Sequence, residues 1–356
     1  MLNIADAEKE FNKLLDRIEP RIIPQFFTWI NESFCVLNDF DGKKVNFSTT
    51  GLQNERLTEA DAILYKISLD IRHEVPLNAV LESENIYWPQ IGLDSDCDPK
   101  TTVRFIAVHV DSFLYDDDAV DDLVDQGKLS RNYCVRCGSL DVKPLIFFSH
   151  SLSLLQLRYI FTTLVPLNAN MSGKLILDIG SRLGCVLYAS YLYRISIFFI
   201  PVEIRNKKCV LLDSDFSEGK VNTVGVEVNK EFCALQNKII GENNMAHSIK
   251  VINDDIRNQG HLVASADVVV LNNVFSFFLP PEEQINCWNF LHRAVRRGAV
   301  IVSIPSMEIL TEHLQLEFSI SDWLDKIDSG HLAARFAGTN EDLFDDCVKI
   351  TLYSVK

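Results

Sequence analysis

The chain has 356 residues, more than one hydrophobic core usually serves, and is 47% hydrophobic and 23% charged, which excludes a disordered or fibrous chain and points to two globular domains. The formal net charge is -15, with 15 basic and 26 acidic side chains in residues 1–150 and 19 and 23 in the remainder. An acidic first part repels polyanions, so nucleic acid is not an expected partner there; basic clusters occur only later, at Arg205, Lys207 and Lys208 and at Arg293, Arg296 and Arg297.

The N-terminus, MLNIADAEKEFNKLL, has neither the basic nor the apolar region of a signal peptide. Nine Cys without framework spacing fit a reducing compartment, so a cytoplasmic or nuclear location is expected. Ile4, Ala7, Phe11, Leu14, Leu15 and Ile18 recur at helical spacing until Pro20. Thr58 and Asp61 form a capping-box pattern ahead of Ala62, Ile63, Tyr65, Ile67 and Ile71, which predicts that a helix starts there. Val103–Val110 reads as a buried strand. The acidic run Asp116–Asp118, Asp121, Asp122 and Asp125 lacks the Gly and closing Glu of an EF-hand and reads as a solvated helix face. Cys134 and Cys137 are half of a zinc ribbon and the candidate metal ligands. No second Cys-x-x-Cys follows, and neither Cys97 nor His150 completes a known spacing, so a reduced pair on a tight turn is the simpler expectation.

From residue 170 the texture changes, as KLILDIG, VNTVGVEV, SIKVINDD, ADVVVLNN and GAVIVSIP alternate with amphipathic stretches. Such alternation predicts an α/β fold, a Rossmann-like, mostly parallel sheet with helices on both faces, preceded by a mainly helical region. The expected domains are 1–145, acidic and without an assigned role, and 146–356, the sheet domain. Leu183–Ile204 is apolar enough to suggest a membrane span, but a central Arg194 costs about 2.5–3.5 kcal/mol on insertion scales. A buried helix followed by a strand is expected, and no membrane partner. The closing CVKITLYSV reads as a strand at a sheet edge.

Ligands of such sheets bind beyond the carboxyl ends of the strands. The first strand runs into Asp178-Ile179-Gly180-Ser181-Arg182-Leu183-Gly184, which lacks the third glycine of a dinucleotide fingerprint. The second ends at Glu227, an acid able to accept from both ribose hydroxyls. The third ends in Asn253-Asp254-Asp255, where an acid can accept from an adenine amino group, and the fourth in Asn272-Asn273. Over roughly residues 170–305 these motifs resemble the class I S-adenosylmethionine-dependent methyltransferases. The paired Asn after the fourth strand is similar to the non-SET histone lysine methyltransferases.

The resemblance implies S-adenosylmethionine as cofactor, with Asp178, Gly180, Ser181, Gly184, Glu227, Asp254, Asp255 and Asn272 as its ligands, Asp255 being the best match to the family's acid after the third strand. It also implies methyl transfer to a protein or small-molecule acceptor, Asn272 or Asn273 being the only catalytic candidates. Tyr87, Trp88, Phe275 and Phe277 could line an acceptor pocket, although core packing is the commoner role for such residues. Two departures stand out. Arg182 replaces the middle glycine, so its side chain must point away from the nucleoside or block it. Residues 195–221 behave as an insertion, either a loop with its own hairpin or the product of a misplaced exon boundary, and Glu203 or Asp213 inside it are alternative ribose acids. Both departures favour the alternative of a non-catalytic methyltransferase-like module that binds a protein partner.

Overall fold

In the computed structural model the alternating strands of the second half assemble into one seven-stranded sheet. The structure describes residues 57–84, 110–129, 150–167, 171, 173–194 and 222–356. For 37–38, 44–45, 49–56, 107–109, 132–134, 142–144, 146–148 and 195–198 it describes the backbone only. The strands are β1 Leu175–Ile179, β2 Asn222–Glu227, β3 Ile249–Asn253, β4 Val268–Asn272, β5 Val300–Ile304, β6 Leu324–Ile327 and β7 Thr351–Val355. Their order is β3-β2-β1-β4-β5-β7-β6, and β7 alone runs opposite to the other six. Strand order reverses between β1 and β4, so a ligand crevice opens at the carboxyl ends of these strands.

A parallel sheet is covered on both faces, which is why its strands are continuous apolar runs. Ile176, Val268 and Val270 enter one core, and Leu177, Ile179, Val269 and Leu271 enter the other. Among the helices are α1 Thr49–Arg72, α2 Asp117–Asp125, α3 Leu154–Tyr159, α4 Cys185–Phe198, α5 Lys230–Glu242 and α6 Pro281–Ala294. The first core receives Tyr188, Tyr193, Phe232 and Ile239 from α4 and α5, and Leu64, Ile67 and Ile71 from α1. The second receives Trp288 and Leu291 of α6. Trp288 stands edge-on to Phe275, with ring centroids 4.9 Å apart, and so supports the turn after β4.

Several expectations are corrected. Thr58 and Asp61 lie inside α1 rather than at its start; the Asp61 carboxylate accepts from Arg158 Nη1 and Tyr193 Oη, both at 2.6 Å. The closing strand β7 is interior, between β5 and β6, and the edge is β6, whose LDKI sequence is too polar to announce a strand. The strand expected over Val103–Val110 is Ala107–His109, paired in parallel with Ile146–Phe148. As expected, the acidic run is a solvated helix face: it forms α2, capped by Asp116 and burying only Val120 and Leu123. The described sheet belongs to a compact unit spanning Leu57–Lys356, and Met1–Arg56 form a separate unit. The apolar stretch at 183–204 is α4 as far as Phe198, and among the described residues no helix is long and apolar enough to cross a membrane. The helix expected over 4–18, Tyr87, Trp88, Cys97, Cys137 and residues 199–221 lie outside the described residues; Cys134 ends a strand paired with Val142–Pro144.

Truncating a buried aromatic removes its transfer energy and leaves a cavity. Trp288→Ala is therefore expected to cost about 3–5 kcal/mol of unfolding free energy. Urea unfolding checks this, and a loss below about 1 kcal/mol would mean that α6 does not pack on the sheet as described.

Candidate functional site

A cavity of about 270 Å³ opens at the carboxyl ends of β1 to β4, near the lower bound of roughly 300 Å³ usual for small-molecule sites. Of the residues singled out in the sequence, His150, Gly180, Arg182, Glu227, Asp254, Asp255, Asn272 and Phe275 line it. Asp178, Ser181, Gly184 and Asn273 do not; they are the layer behind the wall. Gly180 has φ +74, and a Cβ there would stand 2.5 Å from Val274 Cγ2. Gly184 has φ +81, and its Cβ would meet the Tyr188 hydroxyl at 2.6 Å. Both positions require glycine for conformation and for space. Behind the loop the Ser181 hydroxyl donates to Gln236 Oε1 at 2.9 Å, and Gln236 Nε2 donates to the Arg182 carbonyl at 2.7 Å.

Glu227 terminates β2 and is 6% exposed. Its Oε2 accepts the backbone N–H of Arg182 at 2.9 Å and its Oε1 that of Asn229 at 2.7 Å. A carboxylate has about four lone-pair sites, so two bonds leave acceptor capacity towards the cavity. Burial raises the carboxyl pKa, and these two backbone donors oppose the rise. Asp178 is buried one strand away, its pKa pushed up to about 8 by burial and then by the charge of Glu227.

The side chain of Arg182 runs into the protein interior. Nε and Nη2 form a fork on Glu84 at 2.9 and 3.0 Å, Nη2 donates to the Ala79 carbonyl at 2.6 Å, and Nη1 lies 3.5 Å from Asp111 Oδ2. The guanidinium also stands over the Phe232 ring, 4.9 Å from its centroid. Asp111 is fully buried, bonded by the Ser151 hydroxyl at 2.7 Å and by the backbone N–H groups of Phe113 and Leu114; burial raises its pKa more than Arg182 lowers it.

After β3, Asp254 accepts from the Asp255 backbone and the side chains of Asn258 and Gln259, which hold its pKa down. Asp255 is engaged by Arg257, chiefly through hydrogen bonds that depress its pKa, and Arg257 bridges on to Glu283. After β4, Asn272 Nδ2 donates to the His150 carbonyl at 2.9 Å. The His150 ring packs on Phe277 and Phe278 at centroid distances of 4.7 and 5.0 Å, so this histidine belongs to the cavity wall. Among the described residues no group of three His, Cys, Asp or Glu is placed to hold a metal ion. Ser83, Glu84, Val228 and Asn229 also line the cavity and were not singled out in the sequence. The one signal for Glu84 is Arg182 itself, a cation in a buried loop that needs a partner.

No protein-family model matches the chain, and no curated protein is similar to it. Solved structures similar to it include an RNA methyltransferase from Salinibacter ruber in complex with S-adenosyl-L-homocysteine, 14% identical, covering 52% of this chain and 82% of that one, TM-score 0.28. Another is a methyltransferase from Geobacter sulfurreducens, 10% identical, covering 58% and 80%, TM-score 0.32. A third is a SAM-dependent O-methyltransferase from Thermotoga maritima, 15% identical, covering 44% and 48%, TM-score 0.29. Likeness at this level adds nothing to the functional argument, and the Rossmann-like fold rests on the strand order above.

The raised pKa of Asp178 has a consequence for stability. A carboxyl whose folded pKa lies above its unfolded value binds more protons folded than unfolded, so stability falls as pH rises from about 4 to about 8. Asp178→Asn mimics the protonated form. Its thermal midpoint relative to the parent is expected to improve between pH 4.5 and pH 8; a difference that does not change with pH would contradict the burial of an ionisable Asp178.

Proposed function

We propose that the chain is an S-adenosylmethionine-dependent methyltransferase that acts on a protein or small-molecule acceptor. The observation that carries this reading is Glu227, a buried carboxylate at the end of β2, oriented by two backbone N–H groups and retaining acceptor capacity towards the cavity. That chemistry suits a ribose diol. The charge of the wall agrees, since Glu84 is paired with Arg182 and Asp255 with Arg257, while Glu227 and Asp254 carry no cationic partner among the lining residues. Such a surface attracts a sulfonium cation and repels the pyrophosphate of a dinucleotide.

Gly180 brings the loop backbone close to the ligand, Asp254 offers an acceptor where an adenine amino group would lie, and Val228 and Ile256 supply apolar wall. When bound, the cofactor supplies an electrophilic methyl group for in-line displacement. The chain's task is to hold donor and acceptor in line and keep water out, which needs no dedicated base. Asn272, oriented by its bond to the His150 carbonyl, would offer its side-chain oxygen to an acceptor amine. Asn273 is buried with φ 46 behind the wall and fits a turn role. Arg182 favours a non-catalytic module when read in the sequence; its inward course leaves the cavity open and removes that argument.

Glu227→Ala removes charged hydrogen bonding worth about 1.5–3 kcal/mol and is expected to weaken S-adenosylmethionine binding ten-fold or more in calorimetric titration. Unchanged affinity would overturn the assignment of Glu227 as the ribose acid.

A further inference from the structure

Two residues hold both the cavity's central acid and a segment outside the sheet. The backbone N–H groups of Arg182 and Asn229 donate to the two oxygens of Glu227. Their side chains hold the stretch 79–84: Arg182 grips the Glu84 carboxylate and the Ala79 carbonyl, and Asn229 Nδ2 donates to Ser83 Oγ at 2.9 Å. Ser83 and Glu84 in turn line the cavity. The group that would receive the ribose and the segment beside it therefore hang on the same pair of residues.

We propose that Arg182 is a positioning residue that fastens segment 79–84 as a wall of the cofactor site, so that Ser83 and Glu84 close on the bound cofactor and set how long it stays. The proposal rests on the methyltransferase reading of the cavity. Three features support it. First, the Arg182 and Glu84 side chains are only 7% and 5% exposed, and the guanidinium fork gives two parallel bonds that an ammonium could not. Second, Ala79 and Arg182, at the two ends of the 2.6 Å bond, both have left-handed backbones, φ 50 and 43, a conformation that side-chain-bearing residues keep only where the surroundings over-determine it. Third, Leu81 N–H also donates to Glu84 Oε2, which presents the carboxylate on a closed turn. With three bonds accepted out of about four lone-pair sites, this carboxylate keeps about one acceptor site for a ligand donor.

The test uses the full chain, with S-adenosylhomocysteine as the probe. In the parent, ligand is expected to slow amide hydrogen exchange across 79–84. Arg182→Lys keeps the charge and loses the fork, and is expected to raise the ligand dissociation rate about ten-fold, with association changed by less than about three-fold. Glu84→Gln keeps the shape, protects against a misfolded first variant, and is expected to raise the dissociation rate by about three-fold or more. Circular dichroism establishes that each variant is folded. A purely structural staple would alter stability without ligand-dependent exchange at 79–84. Unchanged dissociation rates in both folded variants, or exchange at 79–84 indifferent to bound ligand, would overturn this inference alone. Failure of the folded parent to bind the probe would overturn the methyltransferase reading and this inference with it.

Discussion

A single guanidinium organises the ligand end of this sheet. Arg182 occupies a loop position whose backbone N–H is bonded to Glu227 and whose side chain is buried against Glu84, Asp111, Ala79 and Phe232. A buried cation is tolerated only when paired and fully hydrogen-bonded, and removing one partner of such a pair costs about 3–5 kcal/mol. The residue thus forces residues 79–84 and 111 onto the loop. It is the reason that a segment far from the sheet in sequence is part of the ligand cavity.

The same arrangement settles the shape of the pocket. A side chain in place of the loop's middle glycine has two outcomes, obstruction or an inward course, and here the carboxylates in the interior draw it inward. The cavity wall combines Gly180 and the carboxylates of Glu84, Glu227, Asp254 and Asp255 with apolar side chains such as Val226, Val228 and Ile256. Two of the four wall carboxylates are paired with arginines, Glu84 with Arg182 and Asp255 with Arg257, which leaves Glu227 and Asp254 as the negative charges a ligand would meet.

Strands β1 to β5 were legible in the sequence because each is an apolar run between turn residues, the pattern that burial on both faces demands. The polar LDKI of β6 gave no such signal, since an edge strand needs only one buried flank; Leu324 is buried there and Asp325, Lys326 and Ile327 are exposed. That β7 inserts between β5 and β6 is a matter of pairing, which no local pattern encodes. Glu227, Asp254, Asp255 and Asn272 were legible as strand-end polar residues, whereas Ser83 and Glu84 were not, because they reach the site through a tertiary contact 98 residues long in sequence. Asp178, Ser181 and Gly184 matched the motif in sequence yet stand behind the cavity wall, where they shape the loop instead of facing a ligand.

On the proposed reading, Glu227 receives the ribose of an S-adenosyl ligand in a cavity walled in part by residues 83 and 84. A crystal structure of the full chain grown with S-adenosylhomocysteine tests it most directly. Both ribose hydroxyls are expected within hydrogen-bonding distance of the Glu227 carboxylate, with Glu84 still gripped by Arg182 beside the ligand. Ligand bound with its ribose on another acid, such as Glu203 or Asp213, or crystals of folded protein with the cavity empty at saturating ligand, would contradict it.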